Sequence, residues 1–339
     1  MVKRILLIAV ITIVVYGLLP TLAQFPQDAR DLTEIAVSAI LVGVVLAGVS
    51  QLAVILLFQR ALLALGADPK PPTGIVARSW LAETMLTTLL PGGSVAGAVV
   101  SVGVLHREGV DRDKTATAIV LTKLLWWIAL LSLAVLGLLL SLGDQKTSSV
   151  YVTTATVVIP FFAAGAGTLI YGVFRPEPVV RLLTRTTTWA SRYRKVIDPP
   201  AISSRAAVVL DKARPMLLGP QLVLNAGLAI TAWVSNILIL EIMLRSLGQG
   251  SSLGISIIAV AVTQVVALVP IPPGGIGVVE IVMVSILAAF GIETGAAVVA
   301  VISYRLISYW LPFLFGVGAY FSLRHLRADD DTVTPQSPA

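Results

Sequence analysis

The chain has 339 residues, of which 57% are hydrophobic and 12% charged, and its formal net charge is +6. A soluble domain carries about twice that charged fraction, so the composition excludes a soluble domain and predicts an all-α polytopic membrane protein. We attribute the positive charge to membrane topology and not to nucleic-acid binding. Because the chain has no cysteine and its two histidines, His106 and His325, lie at the ends of apolar segments, neither a metal site nor another cofactor is expected.

Six apolar runs approach or exceed the length of about 20 residues that crosses a bilayer. In chain order they are 5–24, 35–59, 115–142, 150–174, 217–246 and 295–323. Two further apolar stretches, 74–104 and 252–290, are interrupted by prolines and glycines, so neither can be one straight helix. We predict that both are helical hairpins, re-entrant or fully spanning, whose tips lie inside the bundle because open backbone is not tolerated in lipid.

These elements predict five segments and an orientation. The segments are an anchor helix with an outer loop (1–34), a first repeat with a connecting helix (35–174), a basic cytoplasmic loop (175–216), a second repeat (217–324) and a disordered polar tail (325–339). Basic residues concentrate in the 175–216 loop and flank the first and last helices. The positive-inside rule therefore predicts a multi-pass protein of the cell membrane with both termini in the cytoplasm.

The basic loop has two interpretations. Valines and leucines between 179 and 183 are interleaved with Arg181 and followed by Arg185. This pattern fits an amphipathic helix lying on anionic lipid. It also fits a solvated basic connector, and the sequence leaves both open.

The chain contains an internal repeat. The segment Pro91-Gly92-Gly93 recurs 182 positions later as Pro273-Gly274-Gly275, Gly109-Val110 recurs as Gly291-Ile292, and Lys123 corresponds to Arg305. An odd number of predicted crossings separates the two copies, so the second copy should be inverted relative to the first. Inverted repeats with interrupted helices are typical of alternating-access transporters, whose substrate sites lie near the interruptions.

Ionisable residues within the apolar segments are the second indication of a site, because each costs several kcal/mol unless it is paired or hydrated. Lys123 and Arg305 are each followed four residues later by an aromatic residue, Trp127 and Tyr309 respectively. Two cations beside a cavity suit an anionic group such as a phosphate. The alternative is that each cation pairs with a carboxylate, Glu83 or Glu280, and only fixes a hairpin in place.

Glu280 and the second proline–glycine break form the remaining candidate site. Pro273, Gly274 and Gly275 allow a sharp turn that could leave helix amides free to bind an anion. Glu280 follows by one turn, where it could cap those amides or act as a proton or substrate relay. Glu241 precedes Arg245 by four residues and is expected to pair with it.

Three segments resemble a known family. The sequences TATAIVLTKLLWW, PIPPGGIGVVE and GIETGAAVVAVISYRLISYWLPFLFGVGAY are similar to the flippase-like membrane domain of lysylphosphatidylglycerol synthases, the membrane half of the multiple peptide resistance factor. The resemblance implies translocation of an anionic or amphiphilic lipid head group between leaflets. It implies membrane lipids as partners, either an anionic phospholipid or a polyprenyl-phosphate lipid. Whether the chain also binds a further copy of itself or a lipid-synthesis protein stays open.

Other functions stay open at this point. A small-solute secondary transporter would need a cavity enclosed by protein, whereas a lipid carrier would need one that opens laterally between helices. A non-transporting lipid-binding subunit would show paired cations and no cavity. We expect no enzymatic activity, because the sequence contains no catalytic constellation.

Overall fold

The computed structural model describes residues 36–90, 93–141, 174–191, 219–250, 252–268 and 275–330, with shorter pieces between 160 and 216. All regular structure in these residues is helical. The helices are α1 (Val37–Ala64), α2 (Thr73–Leu89), α3 (Gly93–Arg107), α4 (Arg112–Ser141), α5 (Pro176–Ser191), α6 (Gly219–Ser246), α7 (Leu253–Val266), α8 (Val278–Ala289), α9 (Thr294–Arg305) and α10 (Leu311–Asp330), with a π-helical turn at Leu306–Trp310.

Among the described residues, four helical segments are long and apolar enough to cross a membrane. They are Val37–Ala64, Arg112–Leu140, Pro220–Ser246 and Thr294–Leu323. They correspond to the crossings predicted at 35–59, 115–142, 217–246 and 295–323. The predicted helix 5–24 and most of the predicted helix 150–174 lie outside the described residues.

Helix α1 has one exposed apolar face and one face that packs against the rest of the protein. Val37, Leu41, Val45 and Leu52 are each at least 60% exposed and follow one another along one face. Such a continuous exposed apolar face indicates contact with lipid. The other face carries small residues and packs along α6, where small side chains allow two helix backbones to approach closely.

Both predicted hairpins are present as pairs of short helices. Helix α2 ends at Leu89 and α3 begins at Gly93, while α7 ends at Val266 and α8 begins at Val278. The helix is therefore interrupted in each hairpin at the position predicted from the prolines and glycines. The first arm of each hairpin packs against the long helix of the opposite half, α2 against α10 and α7 against α4.

The two halves also share the way in which a helix ends. Gly109 and Gly291 have φ angles of +84° and +86°, a region that glycine enters without steric cost. The next amide donates back to the carbonyl of a residue in the last turn, from Val110 to Leu105 at 3.0 Å and from Ile292 to Leu287 at 3.1 Å. The repeated Gly-apolar pair thus terminates the second arm of each hairpin.

The predicted basic loop begins with a regular helix, α5, as the first of its two interpretations predicts. One boundary differs from the sequence-based segments. Helix α10 continues to Asp330, past the predicted end at 323 and into the predicted tail 325–339. No glycine or proline lies between 323 and 330, so nothing in the local sequence stops the helix there.

Candidate functional site

A buried ion pair joins the second hairpin to the helix that follows it. Arg305 is the last residue of α9 and donates from Nε to Oε1 of Glu280 at 2.6 Å. Both residues are more than 90% buried. The guanidinium carbon of Arg305 also lies 3.9 Å from the ring centroid of Tyr309, which is a cation–π distance.

Glu280 has a second role at the hairpin break. Its Oε2 accepts a hydrogen bond of 2.7 Å from the backbone N–H of Gly277, the residue before α8. A carboxylate in the first turn satisfies an otherwise unpaired amide and is favoured by the helix dipole. The predicted capping role is confirmed. The Glu280 carboxylate accepts hydrogen bonds from both the Gly277 amide at the break and the Arg305 guanidinium.

The helix that carries Arg305 widens immediately after it. Residues Leu306–Trp310 form the π-helical turn between α9 and α10. Pro312 has no N–H with which to bond the carbonyl of Ser308, so the regular α-helical pattern is interrupted at this point. Single π turns occur often at functional sites.

The π turn also brings the two hairpins together. Trp310 forms a buried cluster with Phe313 and with Met85 from α2. Tyr309 from the turn and Ile276 from the second hairpin break pack against this cluster. The end of the first hairpin's first arm and the break of the second hairpin therefore lie close to the Arg305 pair.

A second ion pair occupies the first hairpin. Lys123 from α4 places its Nζ 2.9 Å from Oε1 of Glu83 in α2. The Glu83 side chain is 1% exposed and that of Lys123 is 36% exposed, so the carboxylate is inside the bundle and the cation is at its edge. The Lys123 Nζ lies 5.0 Å from the ring centroid of Trp80. Sequence reasoning missed Trp80, although its position three residues before Glu83 places both on one helix face.

The arms of the first hairpin are in close contact around Glu83. A Cβ atom on Gly97 of α3 would lie 2.7 Å from the Glu83 carbonyl oxygen and 3.1 Å from the Thr87 hydroxyl. Among the described residues, the Glu83 carboxylate and the buried Thr87 hydroxyl have no hydrogen-bond partner, so the contact from Lys123 is an ion pair without hydrogen-bond geometry. Ser79 and Ser101 bridge the two arms one turn away, at 2.6 Å.

The two ion pairs differ within the repeat. Lys123 and Arg305 occupy corresponding positions, but Glu83 lies on the first arm of its hairpin and Glu280 on the second arm of the other. The position that corresponds to Glu280 in the first half is Ala98. The pairing of each cation with a carboxylate is confirmed, whereas binding of an anion by either cation stays a prediction.

The other predicted site residues take several positions. Trp127 packs edge-on against Trp126 at 5.6 Å, and Trp126 stacks on Trp233 of α6 at 4.1 Å. Gly275 lies within the second break and has a φ angle of +66°. Pro273 and Gly274 lie outside the described residues. The predicted pair of Glu241 and Arg245 is confirmed at 2.6 Å.

A small cavity of about 220 Å³ lies between α8 and α9. Glu280 is its charged member, and the rest of the lining is mainly aliphatic: Ile281, Val284, Ser285, Val298, Val301 and Ile302. Ile281 is 51% exposed, so the cavity opens at the surface of the bundle. The described part of the chain contains no cluster of three or more side chains that could hold a metal ion.

Two comparisons with known proteins bear on this arrangement. A family model described as the lysylphosphatidylglycerol synthase TM region matches residues 4–316. The UPF0104 membrane protein PH1989 from Pyrococcus horikoshii is 35% identical over 85 residues, which are 25% of this chain and 25% of that protein. The chain thus aligns with about a quarter of the length of that relative.

Proposed function

We propose, from the premise that this chain belongs to the family of the lysylphosphatidylglycerol synthase TM region, that it is a flippase-like carrier. It would move the head group of an anionic or amphiphilic lipid, such as a phospholipid or polyprenyl-phosphate lipid, between the leaflets of the cell membrane without catalysing a covalent reaction. One observation carries the proposal, namely that the buried Arg305–Glu280 pair adjoins a lateral apolar cavity lined by Glu280.

The cavity suits the hydrocarbon tail of a lipid, and the ion pair suits the lipid head group. Its aliphatic lining and its volume of about 220 Å³ match a segment of hydrocarbon chain better than a hydrated solute. A phosphate arriving at Arg305 would replace the Glu280 carboxylate as the partner of the guanidinium. Because one anion replaces another, Arg305 keeps an anionic partner throughout. The displaced Glu280 carboxylate would have to turn towards the open side of the cavity that it lines, because a buried carboxylate without its cation costs about 3–5 kcal/mol.

Displacement of Glu280 would also affect the hairpin break. The same carboxylate accepts the Gly277 N–H, so its movement would release an amide at the start of α8. Free amides at a helix N-terminus favour anions. Head-group binding and rearrangement of the second hairpin would thereby be coupled through one side chain.

The repeat supplies a second half-site for the opposite leaflet. Under the proposed inverted topology, with both termini in the cytoplasm, the two hairpins enter the membrane from opposite sides. The reciprocal packing of α2 on α10 and of α7 on α4 supports a pseudo-twofold arrangement. Lys123, which is 36% exposed beside Glu83, would receive the head group on its side of the membrane.

A second candidate is a non-transporting lipid-binding subunit. It is favoured by the observation that Lys123 and Arg305 are both already paired with carboxylates. In this case the pairs would fix the hairpins, and a lipid-synthesis partner or a further copy of the chain would supply the activity.

Reconstitution distinguishes the two candidates. The purified protein is placed in liposomes that contain a fluorescent phosphatidylglycerol or phosphatidylcholine, and leaflet exchange is followed by dithionite quenching. We expect faster exchange of the anionic lipid, reduced at least tenfold by Arg305→Ala. The matched control is Arg245→Ala, which removes the arginine that pairs with the buried Glu241. It breaks an ion pair away from the proposed site, so exchange per folded protein should stay unchanged. Well-folded protein that exchanges no lipid would favour the subunit.

A further inference from the structure

Arg60, near the C-terminal end of α1, is oriented by two neutral amides of α6. Its Nε donates to Oδ1 of Asn225 at 2.8 Å, and its Nη2 donates to Oε1 of Gln221. Asn225 is 99% buried and its own amide donates to the carbonyl of Met216 at 3.0 Å. The guanidinium plane is therefore fixed from one side by a side chain that is itself fixed.

The charge of Arg60 is not balanced by any carboxylate of the described residues. The segments before the hairpins repeat at an offset of 185 positions, where Ser50 and Arg60 recur as Ser235 and Arg245. Arg245, the counterpart of Arg60, pairs with Glu241 at 2.6 Å. The position that corresponds to Glu241 in the first half is Leu56. Within the part of the chain that the structure describes, no carboxylate lies within ion-pair distance of Arg60. An ordered, half-buried cation with only neutral partners has unused capacity for an anion.

A cavity of about 420 Å³ lies beside this cation, between the last turns of α1 and the first turns of α6. Its lining is Arg60, Leu63, Ala64, Met216, Gln221 and Asn225. The volume falls within the range of about 300–1,000 Å³ that is typical of small-ligand sites. Arginine has five N–H donors in a planar fork, so the two bonds to Asn225 and Gln221 leave others available for an oxyanion.

The surroundings of the cavity indicate that the anion carries an apolar tail. Leu63 lines the cavity and is 39% exposed, and Val223, two residues after Gln221, is 74% exposed. Apolar side chains exposed on a membrane-spanning helix are a surface for lipid. We propose that Arg60, Gln221 and Asn225 form a binding site for the phosphate group of a membrane lipid, separate from the Arg305 and Lys123 pairs and independent of any transport.

Three probes separate the possible sources of the anion. Phosphatidylglycerol supplies phosphate and tail, dioleoylglycerol supplies the tail alone, and inorganic phosphate supplies the anion alone. Each is titrated against the purified full chain in detergent, and bound molecules are counted by native mass spectrometry. Phosphatidylglycerol should bind, dioleoylglycerol should bind at least tenfold more weakly, and millimolar inorganic phosphate should not displace the lipid.

Variants of Arg60 test whether its guanidinium binds the lipid phosphate. Arg60→Gln removes the charge-assisted hydrogen bonds to the phosphate. Loss of such bonds typically lowers affinity by at least about tenfold, so phosphatidylglycerol binding should weaken by that factor. Arg60→Lys keeps the charge but not the planar fork and should bind phosphatidylglycerol several-fold more weakly. If Arg60→Gln does not fold, the binding of Arg60→Lys is the test of the site. Arg245→Gln should bind as the wild type does. The loss of phosphatidylglycerol binding caused by Arg60→Gln should also be seen in an Arg305→Ala background. This result would separate the Arg60 site from the proposed carrier site.

Two results would overturn the proposal. Equal binding by the wild type and a folded Arg60 variant would make the arginine a structural link between α1 and α6. Full displacement of the lipid by inorganic phosphate would make the cavity a site for a soluble anion.

Discussion

Arg305 and Glu280 are joined at 2.6 Å while the other Glu280 oxygen accepts the Gly277 amide at 2.7 Å. One buried carboxylate thus connects the basic residue of the second repeat to the break in its hairpin. Whatever displaces Glu280 from Arg305 acts on the hairpin as well, so stability and transport should respond differently when the two residues are changed singly and together.

The first prediction separates these two effects. Arg305→Met leaves Glu280 buried without a cation and should destabilise the protein by about 3–5 kcal/mol. In the double variant Arg305→Met/Glu280→Gln, the glutamine carbonyl oxygen can still accept the Gly277 amide, so most of the stability should return. Leaflet exchange should stay low in both variants because the cation is absent. Thermal unfolding in detergent and dithionite quenching measure the two properties, and recovery of exchange in the double variant would mean that the pair is only structural.

The second prediction concerns the unequal burial of Glu83 and Lys123. Lys123→Ala leaves a carboxylate that is 1% exposed without its cation and should cost several kcal/mol. Glu83→Gln leaves a lysine that already reaches the edge of the bundle, and should cost about 1 kcal/mol or less. Thermal unfolding of the two variants checks the order. Equal losses would show that Lys123 is as dependent on the pair as Glu83 is.

Much of this architecture could be predicted from the sequence because it depends on local chemistry. The prolines and glycines between 270 and 277 mark the break before α8, and the repeated glycines at 109 and 291 mark the ends of α3 and α8. The four-residue spacing of Glu241 and Arg245 gives their ion pair. Each of these features is decided within a few residues of chain.

Most features that depend on contacts between distant segments were not predictable. The pairing of Lys123 and Arg305 with Glu83 and Glu280 is the exception, because charges inside a membrane need partners. The π turn precedes Pro312 and places Trp310 in a cluster with Met85 of α2, a contact between segments more than 200 residues apart. The orientation of Arg60 by Asn225 depends on how α1 lies along α6. Periodicity gives the helices but not the side chains that face one another across them, which is also why Trp80 was missed beside Lys123.

The third prediction tests the close contact of the first hairpin. Gly97→Ala would place a Cβ 2.7 Å from the Glu83 carbonyl and 2.8 Å from its Cγ, so α2 and α3 must separate. We expect a loss of about 1–3 kcal/mol, as for overpacking elsewhere. Gly103→Ala on the same helix meets nothing within 4 Å and should be neutral or slightly stabilising. Thermal unfolding of both variants is the measurement, and equal stability would mean that the arms are free to part.

The fourth prediction tests the inverted topology on which the carrier model depends. The natural chain contains no cysteine, so single cysteines can be introduced without removing others. Arg107→Cys marks the end of α3 and Glu293→Cys marks the start of α9, and both positions are exposed. If the repeats are inverted, a membrane-impermeant maleimide added to intact cells should label one position only, and permeabilised cells should show labelling of both. If intact cells label both positions or neither, the two ends lie on one face, and the hairpins enter the membrane from the same side.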